Sequence, residues 1–270
     1  KEIFSNGIQV NVGLSGSTNK NEVTEIIEGT DHLLGAGGGH GQGTILRGTV
    51  GMPLGYFWGY KTDGIFNHPA ELAKAPHQPF AEVGDLIFVD TNEDGTLDET
   101  DKQELGTPYP KLMMGLNLSV EYKNFDLSTF WYSAMGHQIW NATRRADLIV
   151  SNYSTTILDR WTESNTDTSI PRVTSSDLNR SWRNPSDFYL EDADYLRLKN
   201  ITLGYTLPRQ MTERLRISDV RFYVTSENLL TFTKYSGMEV EVGGGALGMG
   251  IDYGVYPQAK TFVGGVNVTF

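Results

Sequence analysis

Alternation of apolar and polar residues over about ten positions is the feature that most restricts what this chain can fold into. From Leu112 to Tyr122 every second residue is apolar, and the residues between them include Asn117, Ser119 and Glu121. Successive side chains of a β-strand point to opposite faces of its sheet. The sequence therefore predicts a strand near residues 111–122 with one apolar face and one polar face, to which only Met113 is an exception.

Five further segments have the same alternation. They predict strands near residues 4–17, 124–134, 195–207, 219–230 and 260–270. The alternation within 195–207 slips near Lys199 and Asn200, where we expect a β-bulge or the membrane edge. Strands that cross a membrane are about 9–11 residues long and alternate in this way. The last segment ends on the aromatic Phe270, which favours the closing strand of an outer-membrane barrel.

The connections between these segments are alternately short and long. The short ones are 123–124 and 208–218, and the long ones are 18–110, 135–194 and 231–259. Outer-membrane barrels have short periplasmic turns and long external loops. The sequence therefore predicts an all-β fold, an antiparallel transmembrane β-barrel segment whose long connections are extracellular. A secreted, calcium-stabilised β-sandwich that binds carbohydrate would also alternate, and it stays open as the second interpretation.

Composition excludes several classes of function. The 33 Asp and Glu residues outnumber the 22 Lys and Arg residues, so nucleic acid is not an expected partner. The absence of cysteine excludes disulfides, thiolate metal sites and a cysteine nucleophile. The segment 243–248, GGGALG, matches a dinucleotide fingerprint but lacks the surrounding strand–helix–strand pattern. We predict no catalytic residues and no enzymatic activity.

An acidic segment, 84–101, contains the spacing of a calcium-binding loop. Alternate oxygen-bearing side chains can converge on one hard cation when a glycine, here Gly95, supplies the turn. At the twelfth position an EF-hand has Glu, whereas this chain has an aspartate with a shorter arm. A solvated acidic turn is the alternative. The predicted ligands of one structural Ca²⁺ are Asp90, Asn92, Asp94, the carbonyl of Thr96, Asp98 and Asp101.

Glycine and tryptophan give two further expectations. The run 35–43, GAGGGHGQG, is flexible by composition. Trp131, near the end of a predicted strand, favours an aromatic girdle at the membrane interface. Trp140, Trp161 and Trp182 fit either such a girdle or platforms on which sugars stack.

Seven stretches resemble, in order, consecutive landmarks of SusC/RagA-like TonB-dependent outer-membrane transporters. Together they extend over essentially the whole chain. They are GYKTDGIF (59–66), GDLIFVDTNEDGTLDETD (84–101), LGTPYP (105–110), YKNFDLSTFWYSAMGHQIWN (122–141), YLRLKNITLGYTLP (195–208), RFYVTSENLLTFTKYSG (221–237) and YPQAKTFVGGVNVTF (256–270).

The resemblance implies the carboxy-terminal part of a plugged barrel of about 22 strands in the outer membrane of a Gram-negative bacterium. It implies import of oligosaccharides or peptides, driven through TonB, with a SusD-like surface lipoprotein as lid. The TonB-contacting segment and the plug have no counterpart in these residues. Because about six strands cannot enclose a plug, we expect the rest of the barrel either in the same polypeptide or in another chain.

Overall fold

A computed structural model describes residues 2–3, 7–145, 152–174, 177–213 and 217–270. The first residues of the strand predicted near 4–17, residues 4–6, lie outside this set. The strands are β1 (Glu2–Ile3), β2 (Ile8–Thr18), β3 (Leu33–Leu34), β4 (Leu46–Gly48), β5 (Tyr56–Gly59), β6 (Thr62–Ile65), β7 (Leu86–Phe88), β8 (Gln103–Gly106), β9 (Leu112–Tyr122), β10 (Phe125–Met135), β11 (Gln138–Asn141), β12 (Leu190–Asp192), β13 (Tyr195–Thr206), β14 (Asp219–Thr233), β15 (Ile251–Asp252) and β16 (Thr261–Thr269).

Helical structure is sparse. Two α-helices, α1 (Pro69–Leu72) and α2 (Arg209–Thr212), have four residues each. Single 3₁₀ turns occur at Glu99–Asp101, Ala142–Arg144, Thr155–Asp159 and Asp187–Tyr189. None of the helices in the described part of the chain has the length and apolar character needed to cross a membrane.

One sheet contains all the long strands, in the order β1-β2-β9-β10-β13-β14-β16 with every neighbouring pair antiparallel. Apart from the two-residue β1, its strands are 9 to 15 residues long and lie where the alternating segments predict them. The predicted all-β, antiparallel class is confirmed. These strands form part of a barrel.

The register places like residues in rows across the sheet. One row pairs Val10, Val120, Leu127, Leu203 and Val224 and is apolar in each of these five strands, β2, β9, β10, β13 and β14. We call the side that carries it the apolar face. The adjacent row defines the polar face and pairs Gln9, Glu121, Asp126, Gly204 and Tyr223.

The apolar face is exposed. Leu14 on β2 is 77% accessible and Val224 on β14 is 58% accessible. A β-sandwich would pack this face on a second sheet, so the alternative interpretation of the sequence is wrong.

A bulge interrupts the register where the alternation slips. The pairing shifts between Leu198 and Asn200, and β14 skips from Glu227 to Leu230 opposite this point. Asn228 there has a φ of 51°, a value that asparagine tolerates better than most residues. The predicted bulge is confirmed. Beyond it Arg197 lies opposite Tyr132 of β10, so the polar face continues to the end of the sheet.

The long connections form a packed unit that we call the cap, made of the described residues of 19–111, 136–194 and 234–260. Three small sheets lie within it, ordered β12-β11-β15, β3-β4-β5-β8 and β6-β7. Its main core draws on all three segments. The buried members are Ile45, Leu46, Phe57, Tyr60, Ile65, Leu86, Phe88, Leu97, Trp140, Ala142, Trp182, Phe188, Tyr189 and Ile251.

The glycine-rich run, predicted from its composition to be flexible, takes part in this packing at Gly35 and Gly38. The backbone N–H of Gly35 donates to the carbonyl of Leu46 at 2.8 Å. A Cβ added to Gly38 would lie 3.0 Å from Nε1 of Trp140. The glycines here permit close approach of the chain to a large aromatic ring.

The cap also determines the surroundings of the tryptophans. Trp140 and Trp182 are 0% and 2% accessible. Trp140 stacks between Phe57 and Tyr189, at ring-centre distances of 6.2 and 5.3 Å. Neither a girdle nor a sugar platform fits such burial, so both expectations are wrong for Trp140 and Trp182.

Candidate functional site

The polar face carries an ion pair that spans three strands. Arg221 of β14 donates through Nε and Nη2 to the two carboxylate oxygens of Asp126 on β10, at 2.9 and 2.5 Å. Gly204 of β13 lies between them, and a Cβ there would come within 2.3 Å of Asp126 Oδ1. A glycine at this position lets the bidentate pair lie flat on the sheet.

A second set of charges joins the sheet to the cap, and we call Tyr195, Arg197, Lys199, Glu239 and Glu241 the junction cluster. Arg197 Nη2 lies 2.6 Å from Glu239 Oε1, with side-chain exposures of 5% and 1%. Glu241 lies 3.1 Å from Arg197 Nη1, 2.6 Å from Lys199 Nζ and 2.9 Å from the hydroxyl of Tyr195. The segment after β14 is therefore fastened to β13 by buried charges.

Glu239 is held ionised by its neighbours. Burial opposes its charge, but the backbone N–H groups of Gln258 and Glu241 and the guanidinium of Arg197 outweigh burial, so the pKa of Glu239 lies below its usual value. Sequence reasoning missed this residue. The available signal was the pair of charged residues, Arg197 and Lys199, near the start of β13, and it did not indicate which segment holds their partners.

The acidic loop folds on itself through its own backbone. The carboxylate of Asp90 accepts the N–H groups of Asp94 at 3.3 Å and Gly95 at 2.8 Å. Asp94 accepts the N–H of Thr96 at 2.8 Å. The hydroxyl and N–H of Thr100 donate to Asp98 and hold the pKa of its carboxyl below the usual value.

The last predicted ligand is placed differently from the others. Asp101 is 0% accessible and accepts the N–H groups of Thr91 and Asp98 at 2.9 and 2.8 Å. It ties the two ends of the loop together, while Asn92 and Asp94 are exposed. Within the described residues no three His, Cys, Asp or Glu side chains converge as a metal site. The carboxylate oxygens of Asp90 and Asp94 each accept one hydrogen bond and so keep a second lone pair for a cation.

The cap also contains a polar cleft of about 490 Å³. Arg144 there lies with its guanidinium carbon 4.4 Å from the ring centre of Phe188 and its Nη1 3.8 Å from Glu191. Glu191 accepts from Asn141 Nδ2 at 3.0 Å and from Ser236 Oγ at 2.8 Å. The polar groups in this set are therefore paired with one another. We interpret the cleft as a structural part of the cap that these contacts hold in place.

An antiparallel sheet with one exposed apolar face, one charged polar face and a folded cap at one end defines a segment of a transmembrane β-barrel. Comparison with known proteins agrees. TonB-dependent receptor P3 of Formosa agariphila is 32% identical over 268 residues, which are 94% of this chain and 26% of that protein. TonB-dependent receptor SusC of Bacteroides thetaiotaomicron is 28% identical over 260 residues, 93% of this chain and 23% of that protein.

The fold is also found among solved structures. The structure of the RagAB peptide transporter superposes with a TM-score of 0.74 at 21% identity, over 97% of this chain and 27% of that one. No protein-family model matches the chain. It spans about a quarter of the length of the curated relatives. The resemblance to SusC/RagA-like TonB-dependent receptors is thus confirmed: the chain is homologous over nearly all its length to one portion of such receptors.

Proposed function

We propose that this chain forms part of the wall and the extracellular cap of an outer-membrane importer of oligosaccharides or peptides that is driven through TonB. The observation that carries the proposal is the continuous polar face, which runs from the Asp126–Arg221 pair to the junction cluster beneath the cap. In this proposal the polar face lines the lumen and the apolar face contacts lipid. The role is transport and not catalysis.

The names of the relatives support this role without choosing a cargo. SusC and the Formosa protein P3 are named receptors, and RagAB is named a peptide transporter. By analogy, the rest of the barrel and a plug complete the pore, and a SusD-like lipoprotein covers the cap. The location that follows is the outer membrane of a Gram-negative bacterium.

Uptake by intact cells tests the proposal. Cells that lack the protein are compared with complemented cells for accumulation of labelled neutral oligosaccharides and labelled peptides. We expect members of one set to accumulate only in complemented cells, and a protonophore to abolish that accumulation. Equal accumulation of both sets in the two strains would contradict the proposal.

We also propose that the acidic loop binds one Ca²⁺ as a structural clip, through Asp90, Asn92, Asp94, the Thr96 carbonyl, Asp98 and Asp101. The spacing supports it, and so does the turn at Gly95, where φ is 85°. A cation would neutralise carboxylates that otherwise repel one another. An extracellular site needs a dissociation constant of only about 10⁻⁴–10⁻³ M.

A further inference from the structure

A cavity of about 350 Å³ lies where the polar face of the sheet meets the cap. One wall is built by three adjacent strands. Met113, Ala134 and Tyr195 are paired across β9, β10 and β13. Tyr132 precedes Ala134 by two residues on β10 and lies on the same face. The opposite wall belongs to the cap and includes Val242 and Met249. A group moving along the polar face would therefore pass this cavity.

The charges near the cavity are already neutralised. Glu241 borders it, but its carboxylate contacts Arg197, Lys199 and the hydroxyl of Tyr195. The remaining lining is dominated by two methionines, two prolines, two valines and two tyrosine rings. Such a wall favours an uncharged apolar group, because burial of apolar surface stabilises by about 25 cal/mol per Å².

A buried polar atom in this lining also lacks a partner. His137 is 8% accessible and lines the cavity, and its Nδ1 has no hydrogen-bond partner among the described residues. Burial lowers the pKa of His137 below its usual value, against the opposing effect of Asp194, so the ring is neutral at neutral pH. A buried polar atom without a partner is costly, and a bound ligand can supply the missing hydrogen bond.

We propose that this cavity is a ligand subsite that receives an apolar side chain of a transported peptide, with His137 hydrogen-bonding the adjacent peptide group. The inference rests on the proposed import function and narrows its cargo. The volume equals that of roughly ten waters, enough for one large side chain. A sugar would bring several hydroxyls, and each one left unpaired here would weaken binding by about five- to a hundredfold.

The test uses the complete receptor in its native cells and a series of uncharged pentapeptides. The peptides are identical except for one central residue, which is Gly, Leu or Phe, and neutral oligosaccharides of similar mass form a second series. We expect the Leu and Phe peptides to be taken up at least tenfold better than the Gly peptide at limiting concentration. This comparison is made within the unaltered protein and does not depend on any variant folding.

Two variants then locate the effect. Met249→Glu places a carboxylate in the cavity and is expected to reduce uptake of the Leu peptide at least tenfold while leaving the Gly peptide unchanged. His137→Phe should weaken uptake of all three peptides to a similar degree, because the peptide group is common to them. Tyr256→Glu, at an 87% exposed cap residue outside the cavity, is the control. Surface amounts of each variant are measured in parallel.

The outcomes separate this inference from the proposed function. Uptake of oligosaccharides alone, or equal uptake of Gly, Leu and Phe peptides, overturns the inference and leaves the import function standing. If neither the peptides nor the oligosaccharides are taken up, both the inference and the proposed import function are overturned. If the Met249→Glu variant still takes up the Leu peptide better than the Gly peptide, the apolar subsite lies elsewhere. That result also overturns the inference.

Discussion

The sheet and the cap use apolar residues in opposite ways. Leu14 and Phe262 of the sheet are 77% and 67% exposed, whereas Trp140 and Phe57 of the cap are fully buried. In the cap the apolar side chains escape water by packing on one another, as in any water-soluble domain. In the sheet they lie exposed in rows on one face, an arrangement typical of the wall of a transmembrane barrel. The two regions meet at the junction cluster, where the long strands end and the cap begins.

The largest effect is expected in the cap core. Trp140→Ala should lower the free energy of unfolding of the cap by about 3–5 kcal/mol, because it leaves a cavity between Phe57 and Tyr189. Hydrogen exchange of cap amides in the complete receptor measures the loss. The matched change Trp131→Ala lies on the apolar face of the sheet and should leave cap exchange unaltered. Equal loss of cap protection in the two variants would contradict a separate cap core.

The second prediction concerns the buried ion pair that joins the sheet to the cap. Glu239→Gln removes one charge of a buried pair and should destabilise the 234–260 segment by about 3–5 kcal/mol. Exchange of amides in 234–260 provides the measurement. Glu227→Gln, at an exposed residue of β14, is the control and should have no such effect.

The same pair predicts a dependence on pH. The pKa of Glu239 is lower in the folded chain than in the unfolded chain. The stabilisation by its ionised carboxylate is therefore fully present above the unfolded pKa, near 4.5, and is lost as the pH falls through the folded pKa. Protection of 234–260 should therefore decrease in acid below about pH 4.5. Glu239→Gln should lack this step; an identical acid profile in the variant would assign the step to other carboxyl groups.

The two faces of the sheet can be compared with one charge at neighbouring positions. Leu116→Arg on the apolar face should cost about 2–4 kcal/mol if the residue lies near the middle of the bilayer. Asn117→Arg places the same side chain on the polar face and should cost much less. Unfolding by urea in lipid vesicles and the yield of assembled receptor give the two values. A larger cost at Asn117 would reverse the assignment of the faces.

The smallest effect concerns the acidic loop. If the loop binds calcium, a tenfold excess over the dissociation constant stabilises it by about 1.4 kcal/mol. Asp94→Ala should abolish the calcium-dependent rise in melting temperature, whereas Glu93→Gln removes an equal charge outside the predicted ligand set and should retain it. A chelator that changes neither melting nor loop protection in the unaltered protein would leave the loop a solvated turn.

The sequence predicted the sheet better than the cap, for a physical reason. Alternation such as that of Leu112–Tyr122 is a local property, so strand position, facing and even the bulge at Lys199 can be recognised from neighbouring residues. Cap contacts join residues far apart, as when Gly38 packs on Trp140. The composition of the run indicates that its backbone can adopt many conformations, but not that the ring of Trp140 packs against it. The ion pair of Arg197 could not be predicted for the same reason, since its partner Glu239 lies in another segment.

The glycine at 204 has a consequence for how the strands find their alignment. A slip of β13 by two residues would keep every side chain on its correct face, so the alternation alone cannot prevent it. Such a slip would bring Thr202 or Thr206 under the Asp126–Arg221 bridge in place of Gly204, and the added side chain would occupy the space of the carboxylate. The bridge therefore favours the observed alignment, in which a glycine lies between its two partners.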